Sequence, residues 1–168
     1  MAASLVANRE SFQVTTPSDR EIEVTRLFDA PRALVYEAMT RPEHIREWWG
    51  RLGDGYSVPV CEVDLRVGGK WRFVNRTPQG EAEFYGVYQE IQPPDRLVFT
   101  EIFAPFPDNP SVITAIYTEE QGKTRLRARC LYESKDVRDM VLQSGMADGA
   151  GKSYDKLEEL VGALKSTR

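Results

Sequence analysis

The sequence predicts an α+β domain in which a curved antiparallel β-sheet packs against a long C-terminal α-helix. Its 168 residues correspond to one domain of ordinary size. Between residues 63 and 132, strand-like segments joined by short turns follow one another, which is typical of an antiparallel meander. From Lys135 onward, apolar residues recur at steps of three and four, as in an amphipathic helix. Such a helix must bury its apolar stripe, and the apolar face of the sheet is the large partner available.

A strand and two short helices should precede the meander. Apolar and polar residues alternate in residues 20–28, which predicts the first strand. Pro31 fits the first turn of a helix, because its fixed φ suits that position. Residues 40–43 (Thr-Arg-Pro-Glu) have the pattern of a capping box and predict a second helix that ends at Trp48 or Trp49.

Six further strands are expected, over residues 63–67, 71–74, 84–91, 96–103, 112–118 and 125–132. Gly68-Gly69 should form a two-residue hairpin turn between the first two, because glycine tolerates positive φ. In the last strand, arginines at 125, 127 and 129 alternate with apolar residues, which indicates that one face is buried and one is solvated.

Glycines interrupt the C-terminal helical pattern. A break is expected near Gly145, since each glycine inside a helix costs about 1 kcal/mol relative to alanine. Gly149 lies further along the same amphipathic pattern. We expect a ligand or a strand to approach the helix closely at this position.

Composition excludes several classes of function. The net charge of −4 does not favour a nucleic-acid binder, which usually carries a basic excess. One histidine, His44, and two distant cysteines, Cys61 and Cys130, do not make a metal site, and both cysteines should be buried thiols. The sequence contains no glycine-rich phosphate-binding motif, so we expect no cofactor and no metal.

The N-terminal residues suggest the organisation and the location of the chain. Residues 1–19 show little periodicity and are expected to form a flexible arm, with a short edge segment at 12–15, before a single domain at 20–168. The apolar stretch at the start is too short for a secretory signal, and no segment approaches the length of a membrane span. We therefore expect a cytoplasmic protein without membrane insertion. The sequence leaves a homodimer open.

Several motifs together resemble a known family. Residues from about 20 to 165 are similar to the START-like superfamily, also called SRPBCC or helix-grip proteins. Within it they look like the bacterial homologues of the activator of the heat-shock ATPase. The matching stretches are Phe28–Pro31, Ala38–Pro42, Trp48–Gly50, Glu62–Gly69, Gly86–Ile91, Pro93–Thr100, Gly145–Gly149 and Ser153–Leu157. The eukaryotic co-chaperones of this family carry an additional N-terminal domain rich in Asn and Trp, whereas residues 1–20 contain only Asn8 and no tryptophan.

The resemblance implies a sheet that grips the last helix, with a cavity between them. Aromatic and sulfur-containing residues should line it, with few polar groups. The glycine-rich loop at 50–55 should cover one end. The residues expected to contact a ligand are Trp48, Trp49, Arg66, Tyr85, Phe99, Phe103, Met146, Gly149 and Tyr154. For Arg66, and for Glu62 and Asp64 beside it, the alternation favours a solvated sheet face with ion pairs over a polar patch inside the cavity.

Three classes of function follow as hypotheses. The first is a non-catalytic binder or carrier of a small hydrophobic or aromatic molecule. The second is a cyclase- or hydrolase-like enzyme acting on such a molecule, for which Glu62, Asp64, Tyr85 and Tyr154 are the candidate acids or bases. The third is a protein-interaction module like the co-chaperones. Turnover of a bound ligand would separate the first two, and capture of a chaperone ATPase would support the third.

Overall fold

The structure, a computed structural model, describes residues 11–168. Its strands are β1 (Gln13–Thr15), β2 (Glu21–Phe28), β3 (Ser57–Val63), β4 (Lys70–Thr77), β5 (Gly80–Gln92), β6 (Arg96–Phe103), β7 (Ser111–Glu120) and β8 (Lys123–Leu131). Its helices are α1 (Arg32–Ala38), α2 (Pro42–Trp48), α3 (Lys135–Gln143) and α4 (Met146–Ser166).

The strands form one antiparallel sheet in the order β1-β2-β8-β7-β6-β5-β4-β3. Strands β3 to β8 are neighbours both in sequence and in space, so they form the expected meander. Strand β2 pairs with β8, and helices α1 and α2 then carry the chain across to β3 at the opposite edge. The predicted α+β class and the helix-grip arrangement are confirmed.

The two faces of the sheet differ sharply in polarity. On β8, Leu126 and Ala128 are buried on the concave face, whereas Arg127 and Arg129 lie on the convex face beside Glu23.

Strand β5 is thirteen residues long, and its register with β6 shifts between Tyr88 and Glu90. Such a bulge bends a strand and increases its twist.

Helix α4 lies across the concave face and buries Ser153, Leu157 and Val161. The break expected near Gly145 is confirmed. Gly145 has a φ of 86° and separates α3 from α4, a left-handed conformation that glycine adopts without steric cost. The C-terminal helical pattern is therefore two helices, and α3 packs with the start of α4 on the cluster of Ile22, Val24 and Tyr132.

The first strand of the meander was predicted wrongly. It spans Ser57–Val63 instead of 63–67, and Leu65 and Val67 are 42% and 67% exposed in the loop that follows. Gly68-Gly69 is therefore no two-residue hairpin turn. The loop at 64–69 closes through the Asp64 amide, which donates to the Lys70 carbonyl at 2.9 Å, and Gly68 and Gly69 bond to Tyr88 of β5.

The capping box expected at residues 40–43 is also absent. Arg41 is the N-cap of α2, and no side chain caps this helix. The Thr40 hydroxyl instead donates to the carbonyl oxygen of Tyr36 at 2.8 Å, closing the end of α1. Pro42 lies in the first turn of α2, as expected.

The predicted arm at 1–19 contains an ordered element, because β1 pairs with β2 at the edge of the sheet. Residues 1–10 of that arm lie outside the described residues. In the part of the chain that is described, no helix is long and apolar enough to cross a membrane.

Candidate ligand cavity

A cavity of about 650 Å³ lies between the concave face of the sheet and helices α2, α3 and α4. This volume is in the range of sites that hold drug-sized molecules. Most of its wall is apolar, because alternate residues of each strand point to the same face. The aromatic residues of the wall are Trp48, Trp49, Trp71, Phe73, Phe84, Tyr88, Phe99, Phe103, Phe106, Tyr132 and Tyr154.

Trp48 and Trp49, at the end of α2, occupy different places in this wall. Trp48 is buried, and its indole N–H donates to the Ala38 carbonyl at 3.0 Å, which ties α2 to the end of α1. Trp49 packs edge-on against Phe73 and Phe84, with ring centroids 5.1 Å apart in both pairs. Edge-to-face contacts of this kind favour one fixed orientation of the rings. The two tryptophans thus hold α2 against the sheet.

The position opposite Trp71 is a glycine, which leaves space for the indole ring. Its register partner on β5 is Gly86, and its indole N–H crosses that position to donate to the Thr100 carbonyl on β6 at 3.1 Å. A Cβ added to Gly86 would lie 1.8 Å from the same carbonyl oxygen. Gly86 therefore makes room for the indole, and the indole N–H has a partner although it lies in an apolar wall.

The cavity opens at the end formed by the β6–β7 loop and α3. Three wall residues there remain substantially exposed: Phe103 (37%), Phe106 (48%) and Met140 (48%). Ser144, at the end of α3, also lines this end and is exposed. The loop at 50–55 was expected to cover one end of the cavity, but apart from Trp49 before it the loop contributes no residue to the described wall. The opening is therefore formed by the β6–β7 loop and α3, and the loop at 50–55 does not line it.

One carboxyl group interrupts the apolar wall. Glu101 lies on β6 between Phe99 and Phe103, and alternation places all three side chains on the concave face. Within residues 11–168 its carboxylate makes no hydrogen bond and no ion pair. Burial raises the pKa of the Glu101 carboxyl from 4.5 to about 7, because an apolar surrounding disfavours the charged form.

The titratable neighbours of Glu101 are all neutral at physiological pH. They are Cys130 on β8, Tyr132 just after it and Tyr154 on α4. Burial is the main cause that raises the pKa of each, to about 12 for Cys130, and the charge of Glu101 adds to the increase. Glu101 is therefore the group in this cluster that changes charge near neutral pH.

The structure brings together six of the nine residues expected at the site. Trp48, Trp49, Phe99, Phe103, Met146 and Tyr154 line the cavity. Arg66 and Tyr85 do not. Arg66 is exposed and bonds to Asp64 at 2.8 Å in the loop after β3, and Tyr85 lies on the convex side of β5. Glu62 is likewise exposed and pairs with Arg72, so the solvated interpretation of this patch is the one the structure supports.

Gly149 does not line the cavity either, although its neighbour Ala150 does. A Cβ added to Gly149 would meet only Leu52, at 3.8 Å, which is an ordinary van der Waals distance. The close approach expected at this glycine is therefore absent. Close approach occurs instead at Gly86 and at Gly69, where an added Cβ would lie 1.8 Å from the Thr100 carbonyl oxygen and 2.0 Å from the Asp64 carbonyl oxygen.

Candidate metal ligands and thiols are few around the cavity in the described part of the chain. Among residues 11–168 no group of three or more His, Cys, Asp and Glu is arranged to hold a metal ion. Cys61 and Cys130 are both free thiols. His44 does not line the cavity.

Sequence analysis missed Glu101. The alternation of side chains along a strand could have identified it, because residues 97, 99, 101 and 103 share one face of the strand.

Comparisons with known proteins agree with this architecture. A protein of Rhodobacter sphaeroides has a TM-score of 0.82 and 25% identity, covering 90% of this chain and 99% of its own. Protein Ms6760 of Mycobacterium smegmatis has a TM-score of 0.80 and 25% identity, covering 90% and 98%. Protein NE0264 of Nitrosomonas europaea has a TM-score of 0.77 and 24% identity, covering 90% and 99%.

Among curated proteins, no relative matches the sequence. A family model does match it, over residues 29–162, which include both short helices, β3 to β8 and most of α4. The match agrees with the resemblance found in the sequence motifs. The chain belongs to the family of activator of Hsp90 ATPase homolog 1-like proteins.

Proposed function

We propose that the protein binds a small, largely aromatic or aliphatic molecule in this cavity and acts as a non-catalytic binder or carrier. The observation that carries the proposal is a volume of about 650 Å³ enclosed by an aromatic wall. A wall of this size and composition is typical of sites that bind drug-sized apolar molecules.

The shape of the wall supports the same function. Buried rings such as Trp71 and Tyr88 form the deep end, whereas Phe103, Phe106 and Met140 surround the mouth. Exposed apolar side chains at a cavity entrance favour capture of an apolar molecule, since their surface leaves water when the molecule enters. Methionine adapts to ligands of different shape, because its side chain is unbranched and flexible.

A matched pair of variants tests the proposal. Ile113 lines the cavity on β7, and Ile116 lies on the convex face of the same strand. Ile113→Trp should narrow the cavity and weaken binding by roughly tenfold or more, because the indole would occupy space that the ligand needs. Ile116→Trp makes the same chemical change outside the cavity and should leave binding unchanged.

The measurement is calorimetric titration of both variants and the native chain with flat aromatic ketones and fatty acids. Native mass spectrometry of freshly purified protein should also show a co-purified small molecule. Absence of binding across the panel, together with no co-purified molecule, would overturn the proposal. Equal weakening by both variants would show that the cavity is not the binding site.

An enzymatic function is the second candidate, and Glu101 is the observation that favours it. A carboxyl with a pKa near 7 in an apolar cavity is suited to general acid–base catalysis. Of the acids and bases expected from the sequence, only Tyr154 lies at the cavity. Incubation of bound ligands followed by product analysis decides between the two functions. Conversion that disappears in Glu101→Gln, with binding retained, would favour the enzyme.

The family description names a protein-interaction function, activation of the Hsp90 ATPase. The ATPase rate of a chaperone of that type, measured with and without this chain, tests whether the function extends to it. Stimulation that persists in Ile113→Trp would favour the interaction over ligand carriage. The cytoplasmic location stays a prediction from the sequence, and cell fractionation would test it.

A further inference from the structure

Glu101 combines three features that the proposed binding of an apolar molecule does not require. Its carboxylate lies in the cavity wall, one alternate residue inward from the mouth residue Phe103. It has no hydrogen-bonding or ionic partner within the described part of the chain. The residue is half-buried, and a carboxylate in an apolar surrounding is normally paired, because an isolated charge is costly there. An apolar side chain would fill this position without that cost.

Two arginines on elements that line the cavity are bonded to other groups. Arg26 on β2 bonds to Asp155 of α4 at 2.7 Å. Arg138 on α3 donates to the Ser18 carbonyl and to Asp139. The other side chains that α3 presents to the cavity are the apolar Val137, Met140 and Val141.

Adjacent strands supply no charge either. Ser111 of β7 is the register partner of Glu101, and its hydroxyl donates to the Glu101 backbone carbonyl at 3.3 Å. Across the cavity, Val24 of β2 and Tyr154 of α4 are uncharged at neutral pH. None of these described side chains supplies a positive charge to Glu101. A bound molecule could supply it.

We propose that the cavity selects ligands that carry a protonated amine on an apolar, preferably aromatic, body, and that Glu101 binds the ammonium group. This inference rests on the proposed ligand-binding function and adds the chemical class of the ligand. The ammonium both donates hydrogen bonds to the carboxylate and neutralises it. The rings of Phe99 and Phe103, which flank Glu101 on β6, offer faces that attract a cation.

The position of Glu101 also sets the orientation of the ligand. Along β6 the cavity residues run from the buried Leu97 through Phe99 and Glu101 to the exposed Phe103. At about 3.3 Å per residue, the apolar body has roughly 13 Å between Glu101 and the level of Leu97. The ammonium therefore stops near the mouth, and the apolar body extends toward Trp71 and Tyr88.

Binding of this kind depends on pH. The ionised form of Glu101 binds the ammonium, and its pKa of about 7 in the free protein falls when the cation arrives. Lowering the pH from 8 to 5.5 protonates the carboxyl, so affinity for the amine should fall roughly 30-fold. Cys130, Tyr132 and Tyr154, which also face Glu101, keep their protons throughout this range because their pKa values are raised.

Three ligands of one shape test the inference by calorimetry: 2-(2-naphthyl)ethylamine, 2-(2-naphthyl)ethanol and 2-naphthylacetate. At pH 8 the native protein should bind the amine roughly tenfold or more tightly than the alcohol, and the acetate most weakly. Glu101→Gln should remove the preference for the amine while it retains the affinity for the alcohol. Glu62→Gln, which makes the same change of net charge on the exposed surface, should retain the preference.

The outcomes separate this inference from the function on which it rests. Binding of the alcohol without a preference for the amine would overturn the inference and leave the proposed function standing. A preference for the acetate would also overturn it, because Glu101 would then act as a protonated donor. Failure of all three ligands to bind would count against both. The pH series on the native protein decides the matter even if Glu101→Gln does not fold.

Discussion

The two faces of the sheet treat charge in opposite ways. On the convex face, Arg129 contacts Glu23 at 2.8 Å, and Arg72 lies between Glu62 and Glu83. On the concave face, Arg26 is buried against Asp155, whereas Glu101 has no partner among the described residues. Exposed pairs contribute little to stability, because water already solvates their charges. These two charged groups on the concave face are expected to have larger effects: Arg26 on stability and Glu101 on ligand binding.

The largest expected effect contrasts a buried arginine with an exposed one. Arg26→Ala should lower the free energy of unfolding by about 4 kcal/mol, because it removes a large, fully buried side chain that packs over the Phe28 ring. Arg129→Ala on the convex face should cost less than about 1 kcal/mol. Urea denaturation of both variants measures the difference. Equal losses would show that burial does not distinguish the two faces.

The concave face also depends on the space left by Gly86. Gly86→Ala should destabilise the fold by about 3 kcal/mol, since the new Cβ would overlap the Thr100 carbonyl oxygen and displace the Trp71 indole. Thermal melting with tryptophan emission as the signal would show both the loss of stability and the displaced ring. An alanine variant with native melting and native emission would refute the close approach.

Glu101→Gln should stabilise the protein, unlike most substitutions in the wall of a cavity. The folded-state pKa of about 7 lies above the ordinary 4.5, so the folded chain holds this proton more tightly than the unfolded chain does. The native carboxylate therefore reduces stability above pH 7, and this cost disappears as the pH falls to 4.5. We expect a gain of about 2 kcal/mol at pH 8 and little gain at pH 4.5.

Denaturation curves of Glu101→Gln at the two pH values provide the check. Glu83→Gln, on the convex side of β5 beside Arg72, is the matched control and should show no gain. A gain that is the same at both pH values would mean that ionisation of Glu101 is not its cause.

The smallest effect is expected at Gly149, on the side of α4 away from the cavity. Gly149→Ala should raise stability by about 0.5–1 kcal/mol, because alanine loses less backbone freedom in a helix and a Cβ fits beside Leu52. Ligand affinity should not change. A loss of ligand affinity in this variant would contradict the prediction and would indicate that Gly149 contacts the ligand.

Periodicity predicted most of the fold, and its errors have physical causes. The strand at Ser57–Val63 contains Pro59, and a proline normally argues against a strand. Strand β3 lies at the edge of the sheet, where a proline need not interrupt a ladder on both sides. The alternation of Val63, Leu65 and Val67 was misleading, since the latter two lie in an exposed loop.

The site was harder to predict than the fold. Six wall residues could be named because large apolar side chains on the correct face of a strand or helix are expected there. Glu101 was overlooked because a charged residue in a strand is ordinarily assigned to solvent. The position of the mouth depends on where the β6–β7 loop and α3 lie relative to each other, and no local pattern encodes that arrangement.

The chain has three tryptophans, and all of them line the cavity. Its intrinsic emission therefore reports on one location, while circular dichroism reports on the whole backbone. If unfolding is a single cooperative event, the two signals change together. If the cavity wall loosens first, emission changes before ellipticity does. The three indoles of the wall thus report whether the cavity and the rest of the fold unfold as one unit.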